Sequence, residues 1–117
     1  MKTLSITLFL LAALNLSAQI PQGYTLKWSD EFNGTNVDTN NWTFEIGDHG
    51  WGNNELQYYT PGENATVSDG VLKITAKKEN GRYTSTRMVT RDKKTFTYGY
   101  FEIRAKLPQG KGTWPAI

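Results

Sequence analysis

The clearest pattern in the chain is Tyr100-Phe101-Glu102-Ile103-Arg104-Ala105-Lys106-Leu107, in which apolar residues recur at every second position from Phe101 to Leu107. Successive side chains of a β-strand point to opposite faces, so this period of two predicts a strand with one face on a core. The other face would lie in water or in a cleft. Similar alternation surrounds Leu26, Phe44 and Ile74, and no helical period follows residue 18.

Turn-forming dipeptides separate these alternating runs. Asn33-Gly34, Asp69-Gly70 and Asn80-Gly81 are typical of tight turns, and proline and glycine mark further loops at 61–62 and 108–112. Short strands joined by such turns predict an all-β fold, either a sandwich or a jelly roll.

The first residues are typical of an export signal. A basic residue, Lys2, precedes an apolar run from Leu4 to Leu16, and a small residue, Ala18, follows it. This is the pattern of a secretory signal peptide, and the run is shorter than the ~20 apolar residues that span a membrane. We expect residues 1–18 to be cleaved and the protein to be secreted, either outside the cell or into the periplasm, with no membrane attachment afterwards.

The composition narrows the classes of protein that the sequence can belong to. The chain contains no cysteine, so an exported domain of this sequence must rely on a packed core. The formal net charge is +2, but charged residues are acidic from Asp30 to Glu63 and mostly basic from Lys73 onward. No recognition helix or RNA-binding aromatic motif accompanies the basic half. We therefore expect no nucleic-acid partner and interpret the charges as solvated strand faces.

One segment stands out chemically: Gly50-Trp51-Gly52-Asn53-Asn54-Glu55-Leu56-Gln57-Tyr58-Tyr59. Sugars require hydrogen-bond donors and acceptors for their hydroxyls, and aromatic rings for their C–H faces. A sugar site and an ordinary loop whose asparagines bond their own backbone are both compatible with this composition. The lone His49 has no partner for nucleophilic or metal chemistry, and we interpret it as a loop residue.

Arg87 is a second candidate. If its neighbours Thr86 and Met88 face the core, Arg87 faces the opposite surface. Its guanidinium could there hold adjacent hydroxyls, fix a carboxylate, or simply be solvated.

Five segments follow one another along the chain: Leu26–Gly34, Trp51–Tyr59, Asp69–Ala76, Tyr98–Pro108 and Gly112–Ala116. In order and spacing they resemble the laminarinase-like branch of glycoside hydrolase family 16, which cleaves β-1,3- and mixed β-1,3/1,4-glucans. The resemblance implies a concanavalin-like β-jelly roll, a sandwich of two curved antiparallel sheets with the β-glucan across the concave one. Residues 19–117 would be only the N-terminal part of this domain, which we expect to be monomeric when complete.

The resemblance also implies site residues. Asn53 or Asn54, Arg87 and Trp114 would line the glucan subsites, with Trp114 stacked on a glucose ring.

A structural calcium site is implied as well, on the side away from catalysis. Glu31 and Gly70 match positions that contribute to it, Gly70 through its carbonyl, and at least one further ligand would come from outside this chain. No catalytic cofactor is implied.

The catalytic signature of the family, Glu-x-Asp-x-x-Glu or a form shorter by one residue, lies beyond the Trp-Pro-Ala segment. Its two glutamates form a retaining pair with carboxyls ~5–5.5 Å apart. No such motif occurs between Met1 and Ile117, so we expect no catalytic residue here and interpret Ile117 as a truncation point. Three functions remain open: part of an endo-β-glucanase, a non-catalytic β-glucan-binding module of the same fold, or an inactive fragment.

Overall fold

The computed structural model describes residues 20–117, and the predicted signal peptide at 1–18 lies outside the described residues. Regular structure in this range consists of short strands and a single 3-10 turn, Gly50–Gly52. None of its helical segments is long and apolar enough to cross a bilayer. The strands are β1 Thr43–Glu45, β2 Tyr58–Tyr59, β3 Ala65–Ser68, β4 Val71–Ile74, β5 Lys77–Glu79, β6 Arg82–Ser85 and β7 Arg87–Val89.

The strands form three small sheets within the described residues. β1 pairs with β7 and β3 pairs with β4, in both cases antiparallel. The third sheet has the order β2-β6-β5, in which β2 runs parallel to β6 and β5 runs antiparallel to it. The β1–β7 pairing matters most for function, because its register places Glu45 opposite Arg87.

Two of the predicted turns close hairpins. Asp69 and Gly70 connect β3 to β4 with φ values of 52° and 72°, and Asn80 and Gly81 connect β5 to β6 with φ values of 51° and 80°. Two consecutive residues in the left-handed region form the turn whose twist matches that of paired strands, and Asn-Gly and Asp-Gly tolerate it best. These local predictions are confirmed.

The centre of the described structure is polar. Val67 is its one buried apolar side chain, whereas Thr60, Asn64 and Thr86 are buried polar residues. The Asn64 amide donates to the Thr75 carbonyl at 2.8 Å and to Thr84 Oγ1 at 3.0 Å. Its Oδ1 accepts from Thr60 Oγ1 at 2.9 Å. Asn64 therefore ties the ends of β2 and β4 to β6.

The strand predicted over residues 100–107 is not paired in the described structure. Its apolar side chains are largely exposed, with Phe101 at 64%, Ile103 at 60% and Leu107 at 54%. The segment around Leu26 is likewise outside any strand, although the Tyr24 ring lies 5.7 Å from that of Tyr100. A strand requires a hydrogen-bonded neighbour, and alternation specifies faces without specifying that neighbour.

Candidate functional site

The loop from His49 to Glu55 has an unusual backbone. Gly50, Trp51, Gly52 and Asn54 all have positive φ, at 75°, 48°, 75° and 53°. This region is unfavourable for a bulky residue such as Trp51, at a cost of about 1–3 kcal/mol. The backbone carbonyl of Gly50 closes the loop by accepting from the amides of Asn53 at 2.9 Å and Glu55 at 3.2 Å.

The strained residue, Trp51, lies at the centre of a cluster. The His49 ring lies 4.2 Å from its ring, and Tyr59 packs edge-on at 5.7 Å. The guanidinium carbon of Arg87 lies over the indole at 4.7 Å, a cation–π arrangement. His49 is therefore a loop residue with a packing role. The Trp51 Nε1 is buried and has no hydrogen-bond partner among the described residues.

Arg87 is held from a second direction by Glu45. Its Nε donates to Glu45 Oε2 at 2.5 Å, and this hydrogen bond raises the pKa of Arg87 above its ordinary value. The other carboxylate oxygen, Oε1, lies 3.2 Å from Arg91 Nη1 in an ion pair. Of the three interpretations open for Arg87, the one in which it fixes a carboxylate is observed. Neither Nη of Arg87 makes a hydrogen bond within the described residues.

Hydrogen bonds among three side chains fix the second half of the segment 50–59. The Tyr59 hydroxyl donates to Glu55 Oε2 at 2.5 Å, and the Gln57 amide donates to the same oxygen at 2.8 Å and to the Tyr59 hydroxyl at 2.7 Å. Burial raises the pKa of Tyr59, and the hydrogen bond to the Glu55 carboxylate raises it further. Tyr59 thus remains a neutral donor that supports the Trp51 ring.

The other candidate binding residues differ in position. Asn53 and Asn54 are exposed and follow Trp51 in the loop. Trp114 is 83% exposed, and among the described residues it makes no aromatic contact or hydrogen bond with the cluster. Among the four candidate binding residues, only Arg87 contacts the Trp51 ring directly, and Asn53 and Asn54 are near that ring only along the chain.

The two candidate calcium residues lie close together. A Cβ built on Gly70 would lie 3.6 Å from the backbone oxygen of Glu31 and 3.7 Å from Asn33 Oδ1. Carbonyl and amide oxygens suit a hard cation such as calcium. Residues 20–117 contain no group of three or more His, Cys, Asp or Glu side chains that could hold a metal. Near Gly70 the described residues place one backbone oxygen, that of Glu31, and one amide oxygen, Asn33 Oδ1.

The carboxylates around the cluster are all engaged. Glu45 binds two arginines, Glu55 accepts from Tyr59 and Gln57, and Asp48 pairs with Arg82 at 3.3 Å. None of the three is placed as a free nucleophile or proton donor. The sequence analysis does not single out Glu45, and so it missed the contact of Glu45 with Arg87. The only available signal was its place on the polar face of β1.

Comparison with known proteins identifies relatives. The family model of glycosyl hydrolases family 16 matches residues 52–117. A β-glucanase from Rhodothermus marinus is 57% identical over 100 residues, covering 80% of this chain and 35% of that protein. A glucan endo-1,3-β-glucosidase from Cryptopygus antarcticus is 48% identical over 104 residues, covering 80% of this chain and 37% of that protein.

A solved structure agrees with these sequence matches. The laminarinase from Flavobacterium sp. UMI-01 superposes with a TM-score of 0.61 at 52% identity, over 64% of this chain and 34% of that one. The chain spans about a third of the length of the β-glucanase and the glucan endo-1,3-β-glucosidase named above.

Proposed function

Because the chain belongs to glycosyl hydrolase family 16 and carries part of its all-β jelly-roll fold, we propose that it is part of a secreted, retaining endo-β-glucanase. Its substrates are β-1,3- or mixed β-1,3/1,4-glucans. The observation that carries this proposal is the guanidinium of Arg87, held between Glu45 and the Trp51 ring with both Nη groups unbonded within the described residues. The apolar leader at 1–18 supports secretion.

In this proposal the chain binds and orients the glucan. The Nη groups of Arg87 donate to adjacent sugar hydroxyls, and the Asn53 and Asn54 amides offer donors and acceptors beside them. Trp114 stacks on a glucose ring once the segment that carries it is placed against the sheet.

The bond-breaking chemistry requires further residues. Retention needs a nucleophilic carboxylate and a second carboxyl that donates a proton to the leaving oxygen, ~5–5.5 Å apart. The carboxylates near Trp51 are engaged by arginines, a tyrosine and a glutamine, and in this proposal the pair comes from a Glu-x-Asp-x-x-Glu motif, which residues 1–117 do not contain. The 117-residue chain alone is expected to hydrolyse no glucan.

A structural calcium ion fits this proposal. Glu31 and Gly70 would hold it through oxygen atoms, with Asn33 Oδ1 close by. The ion would join the segment before the Asn33-Gly34 turn to the β3–β4 turn. It would have no part in catalysis.

A glucan-binding module without hydrolytic activity is the second candidate. It is favoured by the engagement of every carboxylate around the cluster, because a binding surface needs no free acid or base.

The test uses the full-length protein with laminarin and mixed-linkage glucan. It measures how strongly each polysaccharide retains the protein, and how much reducing sugar the protein releases. Arg87→Ala and Trp114→Ala should each weaken retention about tenfold, because charge-assisted hydrogen bonds and ring stacking each contribute ~1–3 kcal/mol. Arg82→Ala is a matched control, since Arg82 also pairs with a carboxylate and lies over a tyrosine ring at 4.4 Å. Retention without sugar release would favour the binding module, and wild-type retention in both site variants would refute the subsite assignment.

A further inference from the structure

Glu45 is a largely buried charged group beside Trp51 and Arg87 that has no role in the binding scheme above. Its side chain is 13% exposed, and its two oxygens bind two different arginines, Oε2 to Arg87 and Oε1 to Arg91. The β1–β7 register places it directly opposite Arg87. One carboxylate oxygen is therefore hydrogen-bonded to Arg87, and the other faces the charge of Arg91.

The contacts around Arg87 use one nitrogen and one face of its guanidinium. Glu45 occupies Nε, and the Trp51 ring lies 4.7 Å from the guanidinium carbon. The N–H donors of both Nη groups make no hydrogen bond within the described residues. The side chain is 37% exposed, so a ligand can reach them. A long side chain fixed before its ligand arrives loses less freedom on binding.

We infer that Glu45 is a positioning residue that sets the orientation of Arg87, so that its two Nη groups present a fixed pair of donors to neighbouring hydroxyls of a glucose ring. This inference rests on the proposed glucan site. Glu45 itself contacts no substrate and acts only through Arg87. Arg91, 67% exposed, holds the second carboxylate oxygen from the solvent side.

The first experiment needs no glucan. In the full-length protein, the ¹⁵N-labelled Arg87 Nε–H should give a separate NMR signal with slow solvent exchange, because Glu45 accepts that proton. Glu45→Gln, which keeps the side-chain volume, should increase the exchange rate about tenfold or more, since a neutral acceptor binds guanidinium more weakly. Asp48→Asn, which removes the exposed carboxylate paired with Arg82, should leave the signal unchanged. Equal exchange in Glu45→Gln and wild type would overturn the inference.

The second experiment separates positioning from a purely structural role. Glu45→Ala should raise KM for laminarin about tenfold with kcat nearly unchanged, and should have no further effect in an Arg87→Ala background. Additive effects of the two substitutions would overturn the inference, and Glu45→Gln serves in the cycle if Glu45→Ala does not fold. If the protein does not act on glucan, the proposed function fails, while the exchange of the Arg87 Nε–H still decides whether Glu45 positions Arg87.

Discussion

Asn64→Ala should lower the free energy of unfolding by a large amount for the substitution of one polar residue. Asn64 is only 3% exposed, and its amide makes three side-chain hydrogen bonds at 2.8–3.0 Å. Alanine would leave the Thr75 carbonyl and the Thr84 hydroxyl without this partner, at ~1–2 kcal/mol for each group. The Thr60 hydroxyl has a second acceptor, the Ser85 carbonyl at 3.4 Å, so its loss should be smaller. The expected cost is ~2–4 kcal/mol, a large part of the ~5–15 kcal/mol that stabilises a whole domain.

Urea denaturation of the full-length protein measures this cost as a lower midpoint at constant slope. Asn36→Ala is the matched control, because Asn36 is exposed and makes one side-chain bond, to Thr35 Oγ1 at 3.2 Å. It should change the free energy of unfolding by less than ~0.5 kcal/mol. Asn64→Asp keeps the shape but removes both donors and adds a charge, so it should be at least as destabilising as alanine. If Asn64→Ala unfolds at the same midpoint as Asn36→Ala, the hydrogen bonds from Asn64 do not hold β2, β4 and β6 together.

Three further predictions follow from the structure and the leader. Calcium should raise the Tm of the full-length protein and a chelator should reverse the gain; an unchanged Tm in both melts would contradict the site at Glu31 and Gly70. The raised pKa of Tyr59 means that its contribution to stability is present below the unfolded value of 10.0 and is lost as pH rises through the folded pKa. Tyr59→Phe should therefore flatten the alkaline fall in Tm, and an equal fall in both proteins would refute this. Residues 1–18 should export a reporter protein to which they are fused. N-terminal sequencing of the exported natural protein should begin at Gln19, and Met1 retained on the exported protein would contradict cleavage.

Local chemistry was predictable from the sequence, and pairing between distant segments was not. The Asp69-Gly70 and Asn80-Gly81 turns form as predicted, because a two-residue turn depends on the conformations of those residues alone. Thr86 is buried, but Met88, which a period of two places on the same face, is half-buried like Arg87. The partner of Arg87 is 42 residues away, at Glu45, and depends on the register between β1 and β7, which a period of two does not specify.

Trp51 shows a second limit of prediction from the sequence. Its side chain organises the cluster from a left-handed backbone, with φ at 48°, that residue preferences argue against. The flanking Gly50 and Gly52 indicated a flexible loop but not which way the indole would turn. The segment at 100–107 shows the converse, since its alternation is strong but the described residues provide no neighbouring strand for it.

The outer position of β5 affects how the protein behaves at high concentration. Within the described residues β5 pairs on one side only, with β6, and its three residues, Lys77, Lys78 and Glu79, are charged and exposed. A second molecule that added a strand to this edge would have to bring its own charges beside the two ammonium groups and strip water from them. Lysine-rich edges of this kind oppose the strand-by-strand growth that leads to fibrils. Within the part of the chain that the structure describes, charge therefore opposes aggregation at this edge of the sheet.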